Sequence, residues 1–320
     1  ALVGGAAPVP AAPPPVEPPI AVAAQSNVMR YYHNPTHFMP ERSLMAAMQV
    51  VDEMDAQIRA GSAPVYSSLS RVVQEVIDRL GNNVAALNAG VEVRVVNQPH
   101  DRSHPVNVFI LSVVIGLAMS YTPEQLLQLG IAALCHDIGK TAIPRDILDK
   151  VGTLAAQEVD LLRAHTLMGK RIMEKFPWAD PVMARIIYEH HERNDGSGYP
   201  QKLQDRQIHE MSKIVAVAEV YDALMSDTSY RSRYKPEIAY NSIKVGDRSG
   251  LDPKVIRAFQ RYVVPYPLNS WVVMETGEVA QVVQQNKQNA FKPIVRLNGT
   301  PVDLGDQSRY SIADSHFKAF

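Results

Sequence analysis

His136 and Asp137 stand side by side in Ala132-Ala133-Leu134-Cys135-His136-Asp137-Ile138-Gly139-Lys140, with further histidines at wide intervals: His100, His104, His165, His190 and His191. Six of the ten histidines fall between residues 100 and 191, so one site could collect most of the imidazoles in the chain. Imidazole nitrogen plus carboxylate oxygen is a ligand set for Zn, Fe, Mn or Ni. An Asp beside a His can offer its two oxygens to two metals at once. Hydrolysing a phosphodiester near neutral pH needs an activated water, neutralised phosphate charge and a stabilised leaving oxygen, which two metals roughly 3.5–4 Å apart supply together. The pattern points to a metal-centred phosphodiesterase site with Asp137 as the bridge.

A carboxylate in an apolar helix costs desolvation unless it is paired or metal-bound. Glu219 is such a carboxylate, inside the apolar stretch Ile214 to Leu224, with Asp222 on the same helical face. His33, His37, His209 and His316 have no comparable context and are expected on the surface. Cys135, the only cysteine, reads as a small buried hydrophobe rather than a reactive thiol.

The elements that must carry these groups are mostly helical. Leu44, Met48, Val51, Met54 and Ile58 recur every three or four residues, and Gly61 ends that helix. Val72, Val73, Val76, Ile77 and Leu80 form a second stripe that stops at Gly81-Asn82-Asn83. A short helix is expected over 84–90. Residues 100–119 put His100 and His104 on one face, i and i+4, with Pro105 in the first turn. Thr122-Pro123 reads as a cap for a helix over 123–135 that ends at His136 and Asp137. Residues 153–176 read as one or two helices bearing His165, and Pro181 to His191 as another. Arg193 to Pro200, with two glycines and a proline, must be a loop. Helices follow over 208–225, 236–245 and 253–262. After Pro267 the texture changes to a β-hairpin, Trp271–Met274 and Val279–Val283, with a third strand over Phe291–Leu297. The wide spacing of the histidines argues for ligands delivered by several helices into a bundle core.

The composition sets further bounds. The chain has 320 residues and a formal net charge of −1, so no global field would hold DNA or RNA. The longest apolar run, Val108 to Met119, is too short to span a bilayer, which takes about 20 residues. A lone thiol fits a reducing compartment, the cytoplasm. Residues 1–26 are rich in Pro and Ala and are expected to form a semi-rigid linker or disordered tail, joining a further domain. The expected division is 1–26 as that tail, 27–90 as an N-terminal helical segment, 91–265 as the metal-dependent phosphodiesterase domain, and 266–320 as a small β-rich extension.

His136-Asp137-Ile138-Gly139-Lys140, His190-His191-Glu192 and Asp195-Gly196-Ser197-Gly198-Tyr199-Pro200 together resemble the signature of the HD-GYP family, the bacterial branch of the HD phosphohydrolases that degrades cyclic di-GMP. The similarity runs from about 84 to about 300 and takes in Tyr266-Pro267-Leu268-Asn269-Ser270-Trp271-Val272. It implies a mainly α fold, an HD-type helical bundle with a small C-terminal β-appendage. It also implies a metal-dependent enzyme that hydrolyses cyclic di-GMP to pGpG and on to GMP, with two or three transition-metal ions, Fe or Mn foremost and Zn or Ni as alternatives. By this resemblance His136, Asp137, His165, His190 and His191 match ligand positions, His104 matches the histidine that opens the family's first helix, and Lys140 matches the lysine that reaches the substrate phosphate. Asp137 and Lys140 are then the expected catalytic residues, Lys140, Arg193, Tyr199 and Arg231 the expected substrate contacts, and the Gly198-Tyr199-Pro200 loop a contact for diguanylate cyclase or other signalling proteins.

Three positions depart from the family pattern. Glu219 stands where the family has Asp; it can ligate, but its extra methylene moves the oxygens. Thr228, in Asp227-Thr228-Ser229-Tyr230, stands where the family has a phosphate-binding Arg, with Arg231 just beyond. His100 stands where trinuclear members carry a Glu ligand, which makes it a candidate extra ligand. These departures sustain a rival reading, a degenerate HD-GYP domain that binds the nucleotide or a partner without turning it over.

Overall fold

Every residue from Val106 to Ile115 is at most 2% exposed, and a helix that is apolar on all sides belongs at the centre of a bundle. That central helix is α3 (His100–Ala118). Around it, in chain order, run α1 (Glu41–Arg59), α2 (Tyr66–Gly81), α4 (Pro123–Leu134), a 3-10 turn (Ile138–Ala142), α5 (Arg145–Leu148), α6 (Ala156–Arg163), α7 (His165–Met173), α8 (Pro181–Glu189), α9 (Glu210–Met225), α10 (Pro236–Lys244) and α11 (Pro253–Tyr262). Helices α1, α4, α9 and α11 pack directly on α3. This computed structural model describes residues 41–82, 87, 100–226, 233–244, 250–286, 288–306 and 310–316. The readings made for residues 1–26, for a helix over 84–90, and for His33 and His37 fall outside them, as do Thr228 and Arg231. No helix among the described residues is long and apolar enough to cross a membrane.

The helix starts follow their sequence signals. Thr122 caps α4 in a reciprocal box with Gln125, Asp180 caps α8 through Val182 N–H at 2.6 Å, and Asp252 caps α11 through Lys254 N–H at 2.8 Å. In all three a proline occupies the first helical turn, where its missing N–H costs nothing. The apolar stripes of α1 and α2 bury Met48, Val51, Met54, Val72, Val73, Val76, Ile77 and Leu80 in the same core as α3. Cys135 is buried, its thiol 3.4 Å from Met54 Sδ and pushed up to about 12 by desolvation.

Two local expectations need correction. Pro105 lies inside α3, beyond its first turn, because the helix already begins at His100. The C-terminal sheet has five strands rather than three. They are β1 (Trp271–Met274), β2 (Val279–Gln284), β3 (Ile294–Leu297), β4 (Thr300–Asp303) and β5 (Ile312–His316), all antiparallel, in the order β4-β3-β2-β1-β5. Asn298 and Gly299, both at positive φ (49° and 83°), make the two-residue turn between β3 and β4, the favoured chemistry for a tight hairpin. The sheet buries its own core, Tyr266, Val272, Met274, Ala280, Val282, Val295, Leu297, Leu304 and Ile312.

A candidate metal centre

The bundle gathers seven histidine and carboxylate side chains at one place. His104 comes from α3; His136 and Asp137 from the end of α4; His165 opens α7; His190 and His191 follow α8; Glu219 comes from α9. His104, His136, His165 and His190 are 3% exposed or less, and Asp137 and Glu219 keep 10% and 13% of their side-chain surface. Three sets of three residues bring ligand atoms together: His104, His136 and Glu219; His165, His190 and His191; and His136, Asp137 and His190, which links the other two. Asp137 lies between them. Its Oδ2 is 3.3 Å from His136 Nε2 and its Oδ1 is 3.4 Å from His165 Nε2. The residues read from sequence as ligands are thus brought together from five segments. His100 lies on α3 one turn before His104, with its side chain outside the described residues.

The local folding decides which imidazole nitrogen faces the centre. His136, His165 and His190 each point Nδ1 at the backbone carbonyl three residues earlier, on Ala133, Leu162 and Ile187, at 2.8, 2.7 and 2.7 Å. A carbonyl only accepts, so in the neutral ring Nδ1 carries the proton and Nε2 carries a lone pair. Those lone pairs converge: Nε2 of His165 and His190 are 3.3 Å apart, as are Nε2 of His136 and His104. Two acceptors at that distance repel each other unless a cation or an extra proton sits among them.

His104 repeats the arrangement with a carboxylate. Its Nδ1 is 2.7 Å from Asp222 Oδ2, and Asp222 is itself held by Asn107 Nδ2 at 2.8 Å. Its Nε2 is 2.7 Å from Glu219 Oε2. A neutral ring has one N–H; given to Asp222, none is left for Glu219. With the rings neutral, as ligation requires, Glu219 Oε2 and Asp137 Oδ1 are both buried without a hydrogen-bond donor. Buried carboxylate oxygens without donors, facing imidazole lone pairs, fit divalent transition metals. The sequence places Asp222 on one helical face with Glu219, at the second Asp of the segment that the family resemblance matches; its role in orienting His104 emerges from the fold. Replacing it by Asn should preserve the fold but weaken metal affinity about 10- to 100-fold, the usual effect of losing such an outer partner, measurable by metal titration. An unchanged affinity would deny Asp222 this role.

The charges follow from the same geometry. Burial opposes ionisation of His104, but Glu219 and Asp222 outweigh it and push its pKa up to about 10. Asp137 and Glu219 do the same for His136, to about 9. His190 and His191 are held well below the imidazole range by burial and by neighbouring rings. Despite burial, Asp137 and Glu219 stay ionised, held down by Lys140 and His136 and by His104 respectively. Without a cation, His104 and His136 therefore carry protons at neutral pH that a metal must displace. We expect metal binding near pH 7 to release protons, and apparent affinity to rise with pH until about 9–10. Calorimetry in two buffers of different ionisation enthalpy measures the release; affinity independent of pH over that range would contradict it.

Lys140 Nζ lies 2.5 Å from Asp137 Oδ2 and is 37% exposed. Tyr199 stacks on His191, with ring centroids 4.6 Å apart and planes at 22°. Arg193 donates to the Glu192 carbonyl at 2.9 Å, and burial lowers its pKa against the pull of Glu219 and Tyr199. The loop over 193–200 is clamped by Glu192, whose two oxygens accept Gln201 N–H at 2.6 Å and Leu203 N–H at 2.9 Å. Gly198 is required there, because a Cβ would come within 2.5 Å of the backbone of His191, Glu192 and Arg193. Glu189, on the other side of the two histidines, accepts His209 N–H at 2.8 Å and Ser212 Oγ–H at 3.0 Å. His209, expected on the surface, instead caps α9 by accepting Met211 N–H at 3.2 Å and is half-buried.

A family profile described as "HD domain" matches residues 91–255, just over half of the 320 residues. A cyclic di-GMP phosphodiesterase of Pseudomonas aeruginosa is 30% identical over 252 residues, covering 78% of this chain and 60% of its own length. A cyclic di-GMP phosphodiesterase of Thermotoga maritima is 36% identical over 159 residues, covering 49% of this chain and 43% of its own. The chain therefore spans less than two thirds of the length of these curated relatives. Among solved structures, an HDG"Y"P protein from Bdellovibrio bacteriovorus shares the fold with a TM-score of 0.54 at 19% identity, covering 68% of this chain and 69% of that one.

Proposed function

Because the chain belongs to the HD-domain family, in its HD-GYP branch, we propose that it is a metal-dependent phosphodiesterase that hydrolyses cyclic di-GMP to pGpG and, by repetition of the same chemistry, to GMP. The observation that carries this reading is the convergence of four imidazole Nε2 atoms and two carboxylate oxygens in one buried centre, where a cation can replace the protons that otherwise hold them together. A domain that only bound a nucleotide would have no use for so costly an arrangement, which weighs against the binding-module reading.

Bound there, a pair of transition-metal ions, Fe or Mn foremost and Zn or Ni as alternatives, supplies an activated water and charge neutralisation for an in-line displacement at phosphorus. His104, His136 and Glu219 would hold one ion, His165, His190 and His191 the other, and Asp137 both. His100 would be the ligand for a third. The carbonyls of Ala133, Leu162 and Ile187, together with Asp222, keep the imidazoles in the tautomer that ligation requires. Lys140, waiting on Asp137 at the rim, would pass its ammonium to the scissile phosphate. Arg193, Tyr199 and Arg231 would contact the substrate. Pro200 is exposed while Gly198 is buried, so the Gly198-Tyr199-Pro200 loop offers a fixed surface to a protein partner such as a diguanylate cyclase. The single buried thiol supports a cytoplasmic location.

The test is cyclic di-GMP turnover by anaerobically purified protein, with metal content measured on the same sample, for wild type, Lys140→Ala and Thr228→Arg. Wild type should contain at least two ions per chain and hydrolyse the dinucleotide. Lys140→Ala should keep its metal and lose turnover. Thr228→Arg should gain about tenfold or more at low substrate, because a charge-assisted contact contributes about 1.5–3 kcal/mol. Metal-loaded wild type that binds the dinucleotide without cleaving it would overturn the enzyme reading.

A further inference from the structure

Resting on that phosphodiesterase reading, we propose that Arg163 and Tyr199 form a second phosphate subsite, which holds the phosphodiester of the cyclic dinucleotide that is not being cleaved. A cyclic dinucleotide carries two anionic diesters. The metal centre and Lys140 serve one; a cation at the rim can hold the other, and Thr228 brings none.

Arg163 is such a cation. Its guanidinium carbon lies 5.1 Å from the centroid of the Tyr199 ring. Tyr199 in turn stacks on His191 at 4.6 Å and meets His165 edge-on at 6.5 Å. Arg163 is therefore one aromatic ring away from two candidate metal ligands, and it is exposed. The loop that brings Tyr199 there is fixed by Glu192 and by the Gly198 close approach. Arg163 ends α6, and Thr166 donates to its carbonyl at 3.1 Å, so its backbone is tied to the same helix start that carries His165. Among the described residues, no carboxylate lies within ion-pair distance of its side chain. A guanidinium resting on a ring face keeps its N–H donors in its own plane, where they can form a fork with a phosphate.

The experiment compares wild type, Arg163→Ala and Arg163→Lys at matched metal content. Each is assayed on cyclic di-GMP and on bis(p-nitrophenyl) phosphate, which has one diester only. In Arg163→Ala, KM for the dinucleotide should rise about tenfold, at the low end of a charge-assisted contact, with kcat changed less than about twofold. The effect on the small diester should be at least fivefold smaller. Arg163→Lys should recover part of the loss, and the alanine variant should show a weaker dependence of KM on salt. Equal effects on both substrates would mark a structural role and overturn the subsite. An unchanged KM for the dinucleotide would overturn it alone, whereas wild type that cleaves the small diester but not cyclic di-GMP would overturn the substrate assignment and the subsite with it.

Discussion

Replacing Asp137 by alanine is expected to reduce phosphodiester hydrolysis by more than 100-fold and to lower the metal content of the purified protein. Among the described residues, Asp137 is the one carboxylate within 3.4 Å of both His136 and His165, through Oδ2 and Oδ1 respectively. Losing it removes an oxygen beside each. Even partners that only support metal ligands cost about 10- to 100-fold when removed, so a group serving both ions should exceed that. The fold should survive: the aspartate is a buried charge whose burial is itself unfavourable, held by Lys140 and the imidazoles around it. Circular dichroism should therefore match wild type while elemental analysis shows a loss of metal. Asp137→Ala with full metal and full turnover would defeat the assignment of the centre.

Gly139→Ala should destabilise the protein by about 3 kcal/mol or more, in the upper range for overpacking. A Cβ there would overlap the carbonyl oxygen of His165 and come within 2.5 Å of the Gly169 nitrogen. Both obstacles are backbone, so neither can swing aside. Gly169 in turn has Gly139 N at 3.2 Å from its own Cβ position; the two glycines let the 3-10 turn lie directly on the start of α7. That contact sets the distance between Asp137 and His165, so the variant should lose metal as well as stability. The melting temperature should fall by about 6–12 °C, taking about 2–4 °C per kcal/mol for a chain of this size. Gly81→Ala is the control, since nothing lies within 4 Å of its Cβ position; its melting temperature should be close to wild type. Equal behaviour of the two variants would refute the close-packing account.

Much of this architecture is legible from local signals. The period of apolar residues outlines α1, α2 and α9, because a helix must turn one stripe inward to bury it. Asp or Thr before proline marks the starts of α4, α8 and α11, because a side-chain oxygen satisfies end N–H groups that nothing else can reach. The chain order of His136-Asp137, His190-His191 and Glu219 already names the chemistry, since only a few residue types bind transition metals. Strands β4 and β5 are less visible. Each is short, and its burial depends on pairing with strands already formed, although Asn298-Gly299 was a usable hairpin signal. What the tertiary structure alone decided is relational. Which nitrogen of His136, His165 and His190 faces the centre depends on a carbonyl three residues away and on how the helix ends there. Asp222 became a partner of His104 across 118 positions of sequence, His209 became a helix cap, and Arg163 met Tyr199 through a loop held by Glu192. The residue types say what the site can bind; the distances at which α3, the turn at Asp137, α7, α8 and α9 close on one another decide that they act as one centre. Those distances come from the packing of the whole bundle, which no local stretch of sequence encodes.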